Sequence, residues 1–331
     1  MRNPLRKRKQ GKSKGEKGYG EGKVTIDFGD DVLLDEEAMV EQLLKALSAP
    51  DYTPPTLPAV AVDLMTLSQQ PNVDFDDVIA LLEQDSMITG RILKLVQSPI
   101  YSGASPLTSL RDALVRLGLK TLRDVVMQIA MNMKVFRSAD YADTMELIRR
   151  HCTMTAHFSK VVSNYSPLEG DYAFLAGLLH DAGLAGTLLA LSDNKGKRKT
   201  PPDLISIWPA VDRVHTRAGE LMAEHWNLMP DIKMTMGNHH QVILEGHPHP
   251  LSATVCLAND LAHELGFGVI PKADGALEEL TELERDCIRS HTTVDRSTPK
   301  TLEHARNALQ ITEQQMDLIR SDAEEVVRNS S

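Results

Sequence analysis

The stretch that decides the fold is Leu175-Ala176-Gly177-Leu178-Leu179-His180-Asp181-Ala182-Gly183-Leu184. It belongs to a segment that stays apolar or small through Leu191. A helix that is apolar on every face is a buried helix, so this one reads as the middle of a helical bundle. Burying an unpaired carboxylate is costly. His180 and Asp181 therefore need partners, either a metal ion or a hydrogen-bonded cluster of histidines.

The composition around this centre favours helices packed on helices. Aromatics are only 4% of the 331 residues, while Leu, Ala and Met are abundant. Cys152, Cys256 and Cys287 are far apart and form no CxxC pair. They read as reduced thiols of a cytoplasmic protein. No run of eighteen apolar residues is free of polar interruption, and the N-terminus lacks a signal-peptide core, so no membrane span is expected. The net charge is −10, but residues 1–23 carry +7, which leaves −17 on the rest. That acidic body argues against a nucleic-acid surface on the folded part. The basic, Gly-rich tail 1–23 reads as disordered, with at most weak contact to nucleic acid or an anionic membrane.

The chain as a whole reads as all-α, a helical bundle preceded by an N-terminal helical subdomain. After the tail, residues 24–52 form an extension, with a short extended segment at Val24–Gly29 and helical spacing over Leu34–Leu47. The connection Thr53-Pro54-Pro55-Thr56-Leu57-Pro58 opens the main domain, 53–270. In its first part, 53–136, apolar residues at three- and four-residue intervals predict helices over Ala59–Leu67, Phe75–Glu83, Met87–Val96, Ser109–Leu117 and Thr121–Val135. Its second part, 137–270, predicts helices over Thr144–Asn164, Asp171–Ser192, Pro202–Glu224, Asp231–Gln241 and Pro250–Leu265. A charged loop, Asp193 to Pro202, interrupts that series. Residues 271–331 supply C-terminal helices, the last opened by a capping box, Thr312-Glu313-Gln314-Gln315. No sheet and no internal repeat are expected.

Other polar residues interrupt the apolar helices as His180-Asp181 does. His151 opens one helix, His215 lies within another, His239-His240 end a third and Asp260 sits in a fourth. Inward side chains from facing helices are how bundles build metal sites. Neighbours on a helix point about 100° apart, so His180 and Asp181 can embrace one ion between them. Imidazole with carboxylate suits divalent Mn, Fe, Ni, Co or Zn. Cys152 would point away from His151 and is left out. His157 and His225 read as core histidines satisfied by hydrogen bonds; His247, His249, His263, His291 and His304 read as surface or loop residues.

The series His151, His180-Asp181, His215, His239-His240, Asp260 resembles the ligand order of HD-superfamily phosphohydrolases. More specifically, the chain resembles the HDOD family, HD-related output domains of bacterial signalling proteins, over about residues 50–270. The likeness includes Leu57-Pro58, Asp85-Ser86-Met87-Ile88, Ser98-Pro99-Ile100-Tyr101, Ala113-Leu114-Val115-Arg116-Leu117-Gly118, Phe174 through Gly183, and Trp226-Asn227-Leu228-Met229-Pro230. It implies one metal held by His151, His180, Asp181 and Asp260. A second ion would be held with help from His215, His239 and His240, with Asp181 bridging the two. The sequence departs from the family at Gln97, where asparagine is common. Leu184 stands where catalytic HD enzymes carry lysine, and no Gly-Tyr-Pro follows His240.

Two functions follow from the resemblance. One is a signal-transduction output or scaffold module, with a metal site, that acts through a signalling protein partner or a small nucleotide-like ligand. The missing lysine favours it. The other is a metal-dependent phosphohydrolase or phosphodiesterase with Asp181 at its reacting centre. The complete ligand set favours that reading, and Lys195, Lys197, Arg198 and Lys199 could attract a phosphate.

Overall fold

A computed structural model describes residues 36–98, 101, 109–168, 170–193, 203–269 and 298–330. Outside these fall the basic tail, the Val24–Gly29 segment, Pro99 and Ile100, the lysines of the 194–202 loop, Cys287 and His291. The first helices are α1 (Glu36–Leu47), α2 (Ala59–Leu67), α3 (Phe75–Leu82), α4 (Ser86–Leu95) and α5 (Leu110–Lys134). The bundle follows with α6 (Ala142–Tyr165), α7 (Ala173–Leu179), α8 (Ala182–Asp193), α9 (Leu204–His225), α10 (Pro230–Asn238) and α11 (Pro250–Glu264). Two C-terminal helices, α12 (Pro299–Ala308) and α13 (Glu313–Ser330), complete it. The fold is all-α. Among the described residues the expectation of no sheet is corrected only by a two-residue hairpin, β1 (Ile243–Leu244) with β2 (His247–Pro248). Glu245 and Gly246 turn it with φ of 51° and 81°, as a two-residue hairpin requires.

Short polar side chains set the helix starts. Asp74, Ser109, Asp203 and Thr298 each accept a backbone N–H from the first turn of the helix that follows. Asp85 accepts from Met87 and Ile88, both at 3.0 Å. The Thr312 box closes reciprocally: Gln315 N–H donates to Thr312 Oγ1 at 3.3 Å and Thr312 N–H to Gln315 Oε1 at 2.9 Å.

One helix differs from the sequence expectation. The pair expected over Ser109–Leu117 and Thr121–Val135 is present: α5 consists of two helical stretches that meet at a kink at Gly118, where φ is 75°. Only glycine takes that backbone freely. The single helix expected over Asp171–Ser192 is instead broken into α7 and α8 at His180-Asp181. The pair thus sits at a junction, where both side chains can turn the same way. Together α7 and α8 have the length and hydropathy of a membrane span, but 94% of that stretch is buried inside the protein.

The bundle centre is α7 and α8, enclosed by α6, α9 and α11. Glycines set the spacing. A Cβ on Gly177 would meet Thr155 O at 2.7 Å, and one on Gly183 would meet His215 O at 1.9 Å. These contacts draw α6 and α9 onto the two sides of the His-Asp junction. The extension belongs to the same body: α1 packs on α8 and α9, and Arg213 bonds Glu36 and Glu37 at 3.0 and 2.7 Å. Trp226 Nε1–H ties the Pro-rich connection down by donating to Pro55 O at 2.8 Å. A second core joins α6 and α11 to α12 and α13 through Phe158, Leu257, Leu309 and Ile319.

Candidate metal centre

Four elements deliver the polar residues. His151 comes from α6, His180 and Asp181 from the α7–α8 junction, and His215 from α9. His239 and His240 follow the end of α10. All but His240 are buried, with at most 3% of their surface exposed. His151, His180 and Asp181 form one group of converging ligand atoms, and His215, His239 and His240 another.

Asp181 lies between the groups. Its Oδ2 is 3.2 Å from Nε2 of both His151 and His180, and those two nitrogens are themselves 3.2 Å apart. Its Oδ1 is 3.2 Å from His239 Nε2 and 3.5 Å from His215 Nε2, yet accepts no well-formed hydrogen bond. His215 Nε2 lies 3.3 Å from His239 Nε2 and 3.0 Å from His240 Nε2.

The outer nitrogens decide what this cluster can be. His151 Nδ1–H donates to Phe267 O at 2.9 Å, His180 Nδ1–H to Gly177 O at 2.8 Å, and His215 Nδ1–H to Asp212 O. A carbonyl can only accept, so in the neutral rings the proton sits on Nδ1 and Nε2 presents a lone pair. Around Asp181 Oδ2, three acceptors then face one another with no hydrogen between them. Such a buried arrangement is unstable without a cation. At His239, burial first and the neighbouring His240 second hold the pKa down to about 3. Burial alone would raise Asp181, but His180, His151 and His239 outweigh it and keep the carboxyl well below the usual range. Imidazole lone pairs turned inward around an anionic carboxylate are the donors a divalent metal requires. The two groups can hold a metal ion.

Asp260 is half-buried and lines a groove with Leu257, Arg306 and Arg320. Other expectations are corrected. Asn259 is 3% exposed, and its Oδ1 has no partner. Its helical neighbour one turn on is His263, whose ring lies 5.3 Å from that of His151. Asp260 lies three residues before His263 and Asn259 four, so both share the face of α11 that carries His263. His263 is itself half-buried rather than a surface residue, and His225 is exposed rather than a core histidine. Cys152 is close to the centre after all, with Asp181 N–H bonded to its sulfur. Burial, reinforced by the Asp181 charge, pushes its thiol well up, so it remains protonated and offers no thiolate. His157 is buried as expected.

With fold and centre described, the class is a helical HD-like domain with a histidine-aspartate cluster. Residues 55–242 match the HDOD domain, and the chain belongs to the HDOD family. An HDOD domain protein of unknown function from Geobacter sulfurreducens shares the fold with a TM-score of 0.56 at 23% identity, covering 88% of this chain and 99% of that one. A protein provisionally named a metal-dependent phosphohydrolase from Shewanella amazonensis SB2B gives 0.58 at 21% identity, with 83% and 98% covered. An uncharacterized protein of Treponema pallidum (strain Nichols) is 26% identical over 223 residues, which is 62% of this chain. This chain spans 41% of that relative's length. Identities this low establish the fold, not the chemistry.

Proposed function

We propose that the protein is a signal-transduction output module, built around an HD-type metal centre, that acts through a protein partner or a small ligand rather than by turnover. Leu184 carries this reading. It is 3% exposed, so the turn after His180 presents a methyl-rich surface where the HD resemblance calls for a lysine. A phosphate at the centre would find no ammonium on that turn to neutralise it. His151, His180 and Asp181 would hold one divalent ion; His215, His239 and His240 would hold a second, with the two oxygens of Asp181 shared between them. Cys152 and Cys256, both buried and unpaired, suit the reducing cytoplasm.

One observation favours the hydrolytic reading: each carboxylate oxygen of Asp181 faces its own set of imidazoles, the donor arrangement of a two-ion site. A bound ion there would polarise a phosphoryl oxygen and lower the pKa of a water. The residues of the chain would fix its position and remain unprotonated. Metal analysis of protein purified without chelator, beside Asp181→Ala, tests the centre. Stoichiometric Mn, Fe, Ni, Co or Zn is expected in the parent alone. A phosphatase and phosphodiesterase substrate panel with added Mn²⁺ then separates the two functions: turnover abolished by Asp181→Ala would overturn the output-module reading.

A further inference from the structure

A second polar cavity lies away from the metal centre, between the N-terminal helices and the bundle. It encloses about 430 Å³ between α5, α6 and α7, with α13 at one side. That is within the range of small-molecule sites. Two buried polar side chains open into it without being satisfied by the protein.

The first is Asp124, 8% exposed. Arg123 donates twice to one carboxylate oxygen, Oδ1, at 3.0 and 2.7 Å. Among the described residues nothing donates to Oδ2. Arg123 is itself committed, to Asp171 O at 2.8 Å and to the face of Tyr172 at 4.5 Å, so the pair is fixed in place. The second is His157, also 8% exposed. Its ring stands edge-on to Phe174 at 5.1 Å and tilted to Tyr101 at 6.4 Å. Among the described residues its nitrogens make no hydrogen bond. Polar groups of this kind ordinarily have partners, so both are open to whatever fills the cavity, water or ligand.

The remaining lining says which ligand the cavity suits. Tyr101, His157 and Phe174 give one wall three rings, the surface that accepts a planar aromatic group. Lys160, an exposed residue with no ion pair among the described residues, stands at the cavity together with Arg116. The lysine suits a phosphate. Asp124 Oδ2 can only accept, and so calls for an N–H or O–H on the ligand.

We infer that this cavity is a binding site for a nucleoside monophosphate, with the base against Tyr101, His157 and Phe174, a donor of the base on Asp124, and the phosphate on Lys160. The site shares α6 and α7 with the metal centre: His157 follows His151 on one helix, and Phe174 precedes His180 on the other. It does not depend on metal occupancy.

The test is isothermal titration calorimetry of AMP, GMP and inorganic phosphate into the full-length protein after dialysis against EDTA, which silences the metal centre. At least one nucleotide binds, and phosphate alone binds about tenfold or more weaker, the factor that one stacked base supplies. Lys160→Ala weakens nucleotide binding about tenfold, as expected for loss of a charged contact, with its melting temperature unchanged because Lys160 is exposed. Thr121→Trp, which fills the cavity, abolishes binding. Silence from both nucleotides, phosphate binding as tightly as nucleotide, or unchanged affinity in either variant overturns the inference.

Discussion

Gly183 lies so close to His215 that a Cβ on the glycine would sit 1.9 Å from the histidine's carbonyl oxygen. The obstacle is backbone, which cannot swing aside as a side chain can. One glycine thus sets how near α9 comes to Asp181. Gly183→Ala is expected to push α8 and α9 apart and to cost about 3 kcal/mol, at the upper end of core overpacking. Urea unfolding would measure this. A loss below about 1 kcal/mol would mean that the two helices are not held by this contact.

The lone pairs gathered at Asp181 make the metal-free protein a strained version of itself. Adding Mn²⁺ to EDTA-dialysed protein should raise stability by about 2.7 kcal/mol when the free ion reaches about 100 times its Kd. Asp181→Ala should show no such rise. Thermal melts with and without the ion, on both proteins, check this; equal shifts in the two would place ion binding elsewhere.

Asn259 and Asp260 both lie one turn before His263, Asn259 buried and Asp260 half-buried. Asp260→Asn removes a carboxylate that the HD resemblance places at the centre and should weaken divalent binding roughly tenfold or more. Competition with a coloured chelator would measure this, and unchanged affinity would take Asp260 out of the centre.

His157 and Asp124 shape the acid response in opposite senses. Burial holds His157 down from 6.5 to about 4, and burial, partly offset by Arg123, pushes Asp124 up from 3.8 to about 6. Protonating His157 favours the unfolded chain, so its contribution to stability falls as pH drops below about 6.5. Protonating Asp124 favours the folded chain, so below about pH 6 the two largely cancel. His157→Gln removes the first effect alone. Relative to the parent, the variant should gain stability as pH falls from about 6.5 towards 4, by up to about 1.4 kcal/mol per unit. Parallel pH profiles of urea stability for the two proteins would refute this.

The all-α arrangement was legible because its signals are local: apolar spacing, acidic caps such as Asp85, and the Thr312–Gln315 box. His151, His180, Asp181, His215, His239 and His240 stood out for a related reason, since polar residues in apolar helices demand partners, and the structure brings these six together. What was not legible depended on rotation and on backbone. Whether Asp260 or Asn259 serves the centre turns on the facing of α11, which one residue of phase changes. The break at His180-Asp181 leaves no trace in a sequence whose flanks are equally apolar. The carbonyls of Gly177, Asp212 and Phe267, which fix the imidazole tautomers, carry no side-chain signature at all.

The match to the HDOD domain ends at residue 242, but the protein does not come apart there. Tyr165 O–H donates to Asp322 at 2.7 Å, Ser166 Oγ–H to Leu309 O at 3.0 Å, and Ile319 and Ala323 are fully buried against α6 and α11. Helix α6, which carries both His151 and His157, is therefore clamped from behind by the chain's last helix. The segment matched to the family and the packed body of this protein have different ends. Shortening this protein to the family boundary would strip the backing from the helix on which both of its polar sites are built.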